Sequence, residues 1–346
     1  LSLTGLIPEY GSLDRVAPQW LYLSSINLLG LIHVFSLKDS NNDLKEIVVF
    51  KPFIVLMGFI LWGLLSYFYA INSIEVLVKF IRWINIPASI LITSILIKKV
   101  DFNPIIFIGY IFLGILLIEL YFSYSTYFQI TSLTEYNFSF ANIIKGSSAN
   151  KNITAASILM KLPLIFFLIS KSKNIFLRLF FSITVFSTIY LVFLLSARAS
   201  IISVFLVTIS LILIYIIKSV SQKKWTFDSS FALIITPFFL STLLFQLQYG
   251  NDNSASLNRR ATTINTKDPS TGQRIRFYKH SLTQILSNPL IGTGMGNWKI
   301  KSIDYDKNDV EGYVVPYHTH NDFLEVGAEL GLPGLILYLL IFIFSF

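Results

Sequence analysis

The sequence predicts an all-α, polytopic integral membrane protein with about nine or more membrane-spanning helices. Two observations carry that expectation. Only 13% of the 346 residues are charged, about half the share found in a soluble domain, while 54% are hydrophobic and the mean hydropathy is +0.66. The apolar residues also fall in long unbroken runs, as spanning helices require, and not in amphipathic patterns.

A hydrocarbon core of roughly 30 Å needs about 20 apolar residues per helix. That ruler places spans at 17–37, 50–70, 84–97, 104–123, 154–170, 179–195, 199–217, 229–246 and 331–346. The third is short, and the stretch before it, 74–83 with Lys79 and Arg82, reads as interfacial. Two segments, 124–153 and 247–328, are too polar to span. Lys38 and Lys45, Lys98 and Lys99, Lys171 and Lys173, then Lys218, Lys223 and Lys224 fall in alternate short connections and mark the cytoplasmic side. The turn "LLSARAS" (194–200), the stretch 147–157 and the long segment 247–328 then lie outside. The expected organisation is a transmembrane bundle over 1–246, an extracytoplasmic loop bearing the candidate chemistry over 247–328, and a last helix over 329–346. The chain opens at Leu1 and closes inside an apolar run at Phe346, so it reads as a piece of a longer protein lacking at least one span at each end.

No cysteine is present, which excludes disulfides, thiolate metal sites and a cysteine nucleophile. No Gly-x-Ser-x-Gly elbow exists, which argues against a serine hydrolase. The net charge of +8 follows the loop lysines of membrane topology and does not indicate nucleic acid.

The remaining polar residues are scarce and clustered. Arg198 lies between two apolar runs with almost no loop; it either snorkels to the headgroups or forms an anion site whose planar fork grips phosphate. From Gln273 to Leu286 the spacing is helical, with Ile275, Tyr278, Leu282, Ile285 and Leu286 forming one apolar stripe and Arg274 at its edge. Such a helix could lie on the membrane with Arg276 and Lys279 meeting lipid phosphate. The "GTGMGN" turn follows a helix, so it does not fit a nucleotide-binding loop. In "PYHTHNDFLEVGAELGLPG" (316–334), His318 and His320 flank one residue and precede Asn321. Two histidines could begin a metal site, but a third ligand is wanting; acid–base work at a span entrance fits better. "GLPG" lets a helix start close to its neighbours, with Pro333 in its first turn.

At these residues the sequence resembles the O-antigen ligase and O-antigen polymerase superfamily of bacterial envelope glycan assembly. The resemblance rests on "HNDFLEVGAELGLPG" (320–334), on "RIRFYKHSLTQILSNPLIGTGMGNW" (274–298) and on "SARAS" (196–200), over roughly 140–346. It implies a GT-C-like helical fold and His320 as catalytic base, with Arg198 and Arg274 binding a diphosphate. His318, Asn321, Arg276 and Tyr278 would support them, Tyr278 standing where tryptophan is common. It further implies a metal-independent, inverting glycosyltransferase of the bacterial inner membrane, active on the periplasmic side and needing no cofactor. Its partners would be an undecaprenyl diphosphate-linked glycan donor, lipid A–core or a growing glycan as acceptor, and the bilayer. Ligation is the first expectation, followed by polymerisation, protein O-glycosylation, and a non-catalytic lipid-linked sugar transporter, which would use Glu119 in its span. Glu119 reads more simply as lying near a span end or paired. A chelator should leave such a transfer unchanged; inhibition by EDTA that zinc or magnesium reverses would restore the metal reading.

Overall fold

A computed structural model describes residues 7, 16–37, 40–146, 150–221, 229–250, 269–308 and 317–345. Lys38, Lys223 and Lys224 of the topology argument, residues 147–149, and the parts 251–268 and 309–316 of the long loop lie outside the described residues. The described residues form helices and turns without strands. The helices are α1 (Ala17–Ser36), α2 (Ser40–Val48), α3 (Lys51–Leu65), α4 (Ser73–Lys98), α5 (Pro104–Thr131), α6 (Lys151–Lys171), α7 (Ile175–Leu195), α8 (Arg198–Ser221), α9 (Ser229–Tyr249), α10 (Pro269–Ser287), α11 (Trp298–Asp306) and α12 (Asp322–Ser345).

Among the described residues, 8 helices are long and apolar enough to cross a membrane, and the chain is a multi-pass membrane protein. The remaining expected span, α1, is a helix of 20 residues whose apolar run is diluted by Ser24, Ser25, Asn27 and His33. Two boundaries differ from expectation. The short third span and its interfacial lead are one continuous helix, α4, of 26 residues with Pro87 inside it. The last helix begins at Asp322 and is interrupted at Gly331, so "GLPG" starts its second half.

The helix starts share one device. Asparagine side chains cap α4 (Asn72), α5 (Asn103), α6 (Asn150) and α7 (Asn174), each accepting from an amide of the first turn. Each cap satisfies an amide that the helix itself leaves unpaired, worth about 1 kcal/mol.

The chain divides into two compact units, one of 11–100 with 265–346 and one of 101–264. These follow packing, whereas the division expected at 246/247 and 328/329 concerned sides of the membrane. In the second unit, α5 to α9 enclose a core through Leu116, Ile158, Ile165, Val185 and Phe245. Glu119 pairs there with Lys161 at 2.8 Å, and Ser157 joins them, so this intramembrane carboxylate is neutralised within the unit. In the first unit α1 is clamped to α4 by amides: Asn27 Nδ2 donates to Asn85 Oδ1 at 2.8 Å, and Asn85 Nδ2 donates to Ser24 Oγ at 3.0 Å. Polar contacts of this kind hold helices together where the hydrophobic effect cannot.

The central feature of the first unit is the break in α12. Gly331 has φ 66° and ψ −171°, which leaves the carbonyls of the preceding turn without intrahelical partners. The glycine-rich turn supplies them. Thr293 N donates to Ala328 O at 3.0 Å, Gly294 N to Glu329 O at 2.8 Å, and Trp62 Nε1 to Leu330 O at 3.0 Å. In return Leu332 N donates to Pro289 O at 2.7 Å. The turn is fixed from behind by Ser66 Oγ, which accepts from Met295 N at 2.9 Å, and by Asn297 Oδ1, which accepts from Asn72 N at 2.7 Å. The approach is so close that a Cβ at Gly331 would lie 2.5 Å from the Leu290 carbonyl carbon.

Gly331→Ala combines that collision with a left-handed backbone and should cost on the order of 2 kcal/mol or more. It should lower the unfolding temperature in detergent, while Gly114→Ala, which meets nothing within 4 Å, should leave it unchanged or raise it. Equal melting of the two variants would contradict this account of the break.

Candidate functional site

The break places the histidine motif at the mouth of the first unit. Asn321 caps α12: its Oδ1 accepts from Phe323 N at 3.1 Å and Leu324 N at 3.2 Å. Its role is therefore to start the helix, as the other asparagines do elsewhere. Directly before it, His320 has φ 58°, a left-handed conformation that is rare and costly outside glycine. Thr319 holds the tight turn, donating from Oγ1 to Asn321 O at 2.6 Å and accepting from Asn321 N at 3.2 Å. Thr319 N in turn donates to Glu325 Oε2 at 3.1 Å. Backbone strain held by its surroundings in this way is typical of functional positions.

The two histidines have different environments. His318 Nδ1 lies 3.0 Å from Glu325 Oε1, and that hydrogen bond raises its pKa above the ordinary histidine range. The imidazole of His320 packs on Phe277, with ring centroids 6.2 Å apart and nearly parallel. Its pKa is lowered, first by the loss of water around the ring and then by the positive charges of Arg274 and His318. His320 is thus the neutral member of the pair at neutral pH and is able to accept a proton. His318 is the member that favours its proton.

Arg274, Phe277 and Tyr278 all come from α10. Arg274 is exposed, and its charge reaches the His320 ring. Tyr278 OH lies 3.4 Å from the His320 carbonyl oxygen. The face that α10 buries differs from the expected stripe. Phe277, Ser281, Gln284 and Ile285 are buried, whereas Ile275, Leu282 and Leu286 are exposed. Gln284 turns inward to a partner on α11, accepting from Tyr305 OH at 2.9 Å, while Ser281 bonds within its own helix, its Oγ donating to Phe277 O at 2.8 Å. Arg276 also faces its own unit. Its Nε stands 2.7 Å from Oδ1 of the buried Asp306, with His280 3.7 Å from the same oxygen. It joins α10 to α11 and does not stand beside His320.

Arg198 belongs to the other compact unit. It is the first residue of α8, after a left-handed Ser196 (φ 51°) that ends α7, so the tight turn at 194–200 is formed as expected. Among the described residues no group of three or more His, Asp or Glu is arranged to hold a metal ion.

Residues 183–339 match the model of the O-Antigen ligase family. The matched segment includes Arg198, Arg274 and His320. It is 25% identical over 288 residues to a Rickettsia typhi protein named "Putative polysaccharide ligase", covering 81% of this chain and 64% of that protein. A like-named protein of Rickettsia conorii is 35% identical over 75 residues, 20% of this chain and 18% of the relative. One from Rickettsia bellii is 31% identical over 111 residues, 31% of this chain and 26% of the relative. The chain thus spans less than two thirds of the length of these relatives. No solved structure is significantly similar to it.

Sequence reasoning missed Glu325, Thr319 and Phe277 as the residues that fix the histidines. No spacing rule marks Glu325, since its reach back to His318 exists only once the left-handed turn at His320 is made. In a titration followed by histidine NMR, His320 should titrate below His318, and Arg274→Gln should move His320 upward by removing a neighbouring positive charge. An unmoved His320 in that variant would separate Arg274 from the histidine.

Proposed function

We propose that the protein transfers a glycan from undecaprenyl diphosphate to an acceptor hydroxyl, with lipid A–core as acceptor, at the periplasmic face of the bacterial inner membrane. The observation that carries this reading is the neutral, left-handed His320 beside the charge of Arg274. The family match and the names of the relatives support a ligase-type role. His320 takes the proton of the acceptor hydroxyl as its oxygen bonds to the anomeric carbon. The bond from that carbon to the diphosphate oxygen breaks, and undecaprenyl diphosphate leaves with the electron pair. Attack opposite the leaving group inverts the anomeric centre, and no metal takes part.

Arg274 neutralises the charge that grows on the departing diphosphate, the kind of fixed electrostatic stabilisation that carries much of catalysis. Arg198 is proposed as a second diphosphate ligand on the strength of its Ser-x-Arg setting in the family domain. Its planar fork suits phosphate oxygens better than an ammonium does.

In reconstituted membranes, His320→Ala should bind donor normally and lose transfer by roughly 10²- to 10⁴-fold, the usual share of a general base. Arg274→Ala should weaken donor binding and transfer together, with Arg274→Lys restoring little. Full transfer by His320→Ala would remove the base assignment. Lengthening of the lipid-linked glycan in the absence of lipid A–core would make the enzyme a polymerase instead.

A further inference from the structure

A cavity of about 260 Å³ opens beside the histidine motif, within the first unit. Phe59, Trp83 and Tyr338 line it and form one aromatic wall. Phe59 lies 5.0 Å from Trp83 and 5.5 Å from Tyr338, and Trp83 lies 6.3 Å from Tyr338, between ring centroids. Asp322, Glu325 and Glu329 line the same cavity; their spacing along the first half of α12 puts them on one helical face. Lys79 and His318 complete its polar lining. Glu329 is only 7% exposed, and one of its carboxylate oxygens is held by Trp298 N at 3.1 Å.

Two features of this lining define what it can hold. Asp322, Glu325 and Glu329 face Lys79 and His318, so the lining is mixed in charge and offers no cluster of cations for a second diphosphate. The diphosphate belongs with Arg274, whose charge acts on His320. An aromatic wall together with fixed carboxylates suits a ligand with apolar C–H faces and hydroxyl donors around its edge, which describes a sugar ring. Arg274 then serves the leaving group, and this aromatic, carboxylate-bearing cavity serves the other reactant.

We propose that this cavity is the acceptor subsite, taking the uncharged or amine-bearing terminal sugar whose hydroxyl is to be glycosylated. The inference rests on the transfer reading above and adds to it the location and chemistry of the acceptor. Trp83 supplies the stacking face, and Asp322 and Glu329 accept hydrogen bonds from sugar hydroxyls. Glu325 is already engaged by His318 and Thr319 and acts as a positioning residue.

The test separates this site from the reaction. Binding of lipid A–core in nanodiscs is first followed by tryptophan fluorescence without donor, in the wild type and in Trp83→Phe, Asp322→Asn and Glu329→Gln. Transfer kinetics are then measured with both substrates varied. The expected result is wild-type binding that weakens about tenfold in the Asp322 and Glu329 variants, as loss of a hydrogen bond to a charged group predicts. The acceptor KM should rise in parallel while donor KM is unchanged. Trp83→Phe preserves an aromatic face and should keep binding while losing most of the fluorescence change. Acceptor binding that is equal in all four proteins, or a rise in donor KM instead, would overturn the subsite. Acceptor binding with the expected losses but no transfer by the wild type would keep the cavity and reject the reaction. Absence of both binding and transfer in the wild type would reject both.

Discussion

The break at Gly331 is the constraint on which the first unit depends. A membrane helix cannot leave carbonyls unpaired in hydrocarbon, where each costs several kcal/mol. Three carbonyls at 328, 329 and 330 are freed by the break and recovered through Thr293 N, Gly294 N and Trp62 Nε1. The glycines of "GTGMGN" are explained by this task. Gly292, Gly294 and Gly296 have φ of +63°, +97° and +79°, and a Cβ on any of them would meet Glu329, Ala70 or Lys79 at under 3 Å. The loop is a splint for a helix.

The splint determines where the chemistry sits. With the first half of α12 fixed as a separate segment, Asn321 can cap it and Glu325 can reach back to His318 and Thr319. That hold keeps His320 in a conformation its own backbone disfavours and presents its ring to Phe277. The charge of Arg274 acts on the ring, and the carboxylates of α12 line the cavity that His318 borders. The proposed transfer would use Arg274 for the diphosphate and this cavity for the acceptor hydroxyl.

Much of this was legible in the chain. Hydropathy alone marks eight of the nine expected spans, because long apolar runs have no other stable home, whereas the choice of His320 over His318 comes from the resemblance carried by Asn321 and Gly331. The burial of polar residues on α10 was not legible. Ile275, Leu282 and Leu286 of the expected stripe are exposed, while Ser281 and Gln284 are buried beside Phe277 and Ile285, and the Tyr305 that bonds Gln284 lies on α11, in a separate stretch of sequence. Arg276 has the same lesson: beside Arg274 it resembles a second ligand, and only Asp306 shows why it turns inward. The left-handed His320 is likewise invisible beforehand, because histidine carries no signal for that conformation and the tertiary contacts impose it.

Hydrogen–deuterium exchange on wild type and Gly292→Ala, in the same detergent, tests the central claim most directly. A Cβ at position 292 would press on the Glu329 carbonyl at 2.5 Å and should dislodge the turn from α12. The account predicts faster exchange at Thr293 and Gly294 accompanied by faster exchange through 319–325, because the histidine turn depends on the splinted helix. Faster exchange confined to the glycine turn, with 319–325 as protected as in the wild type, would contradict it.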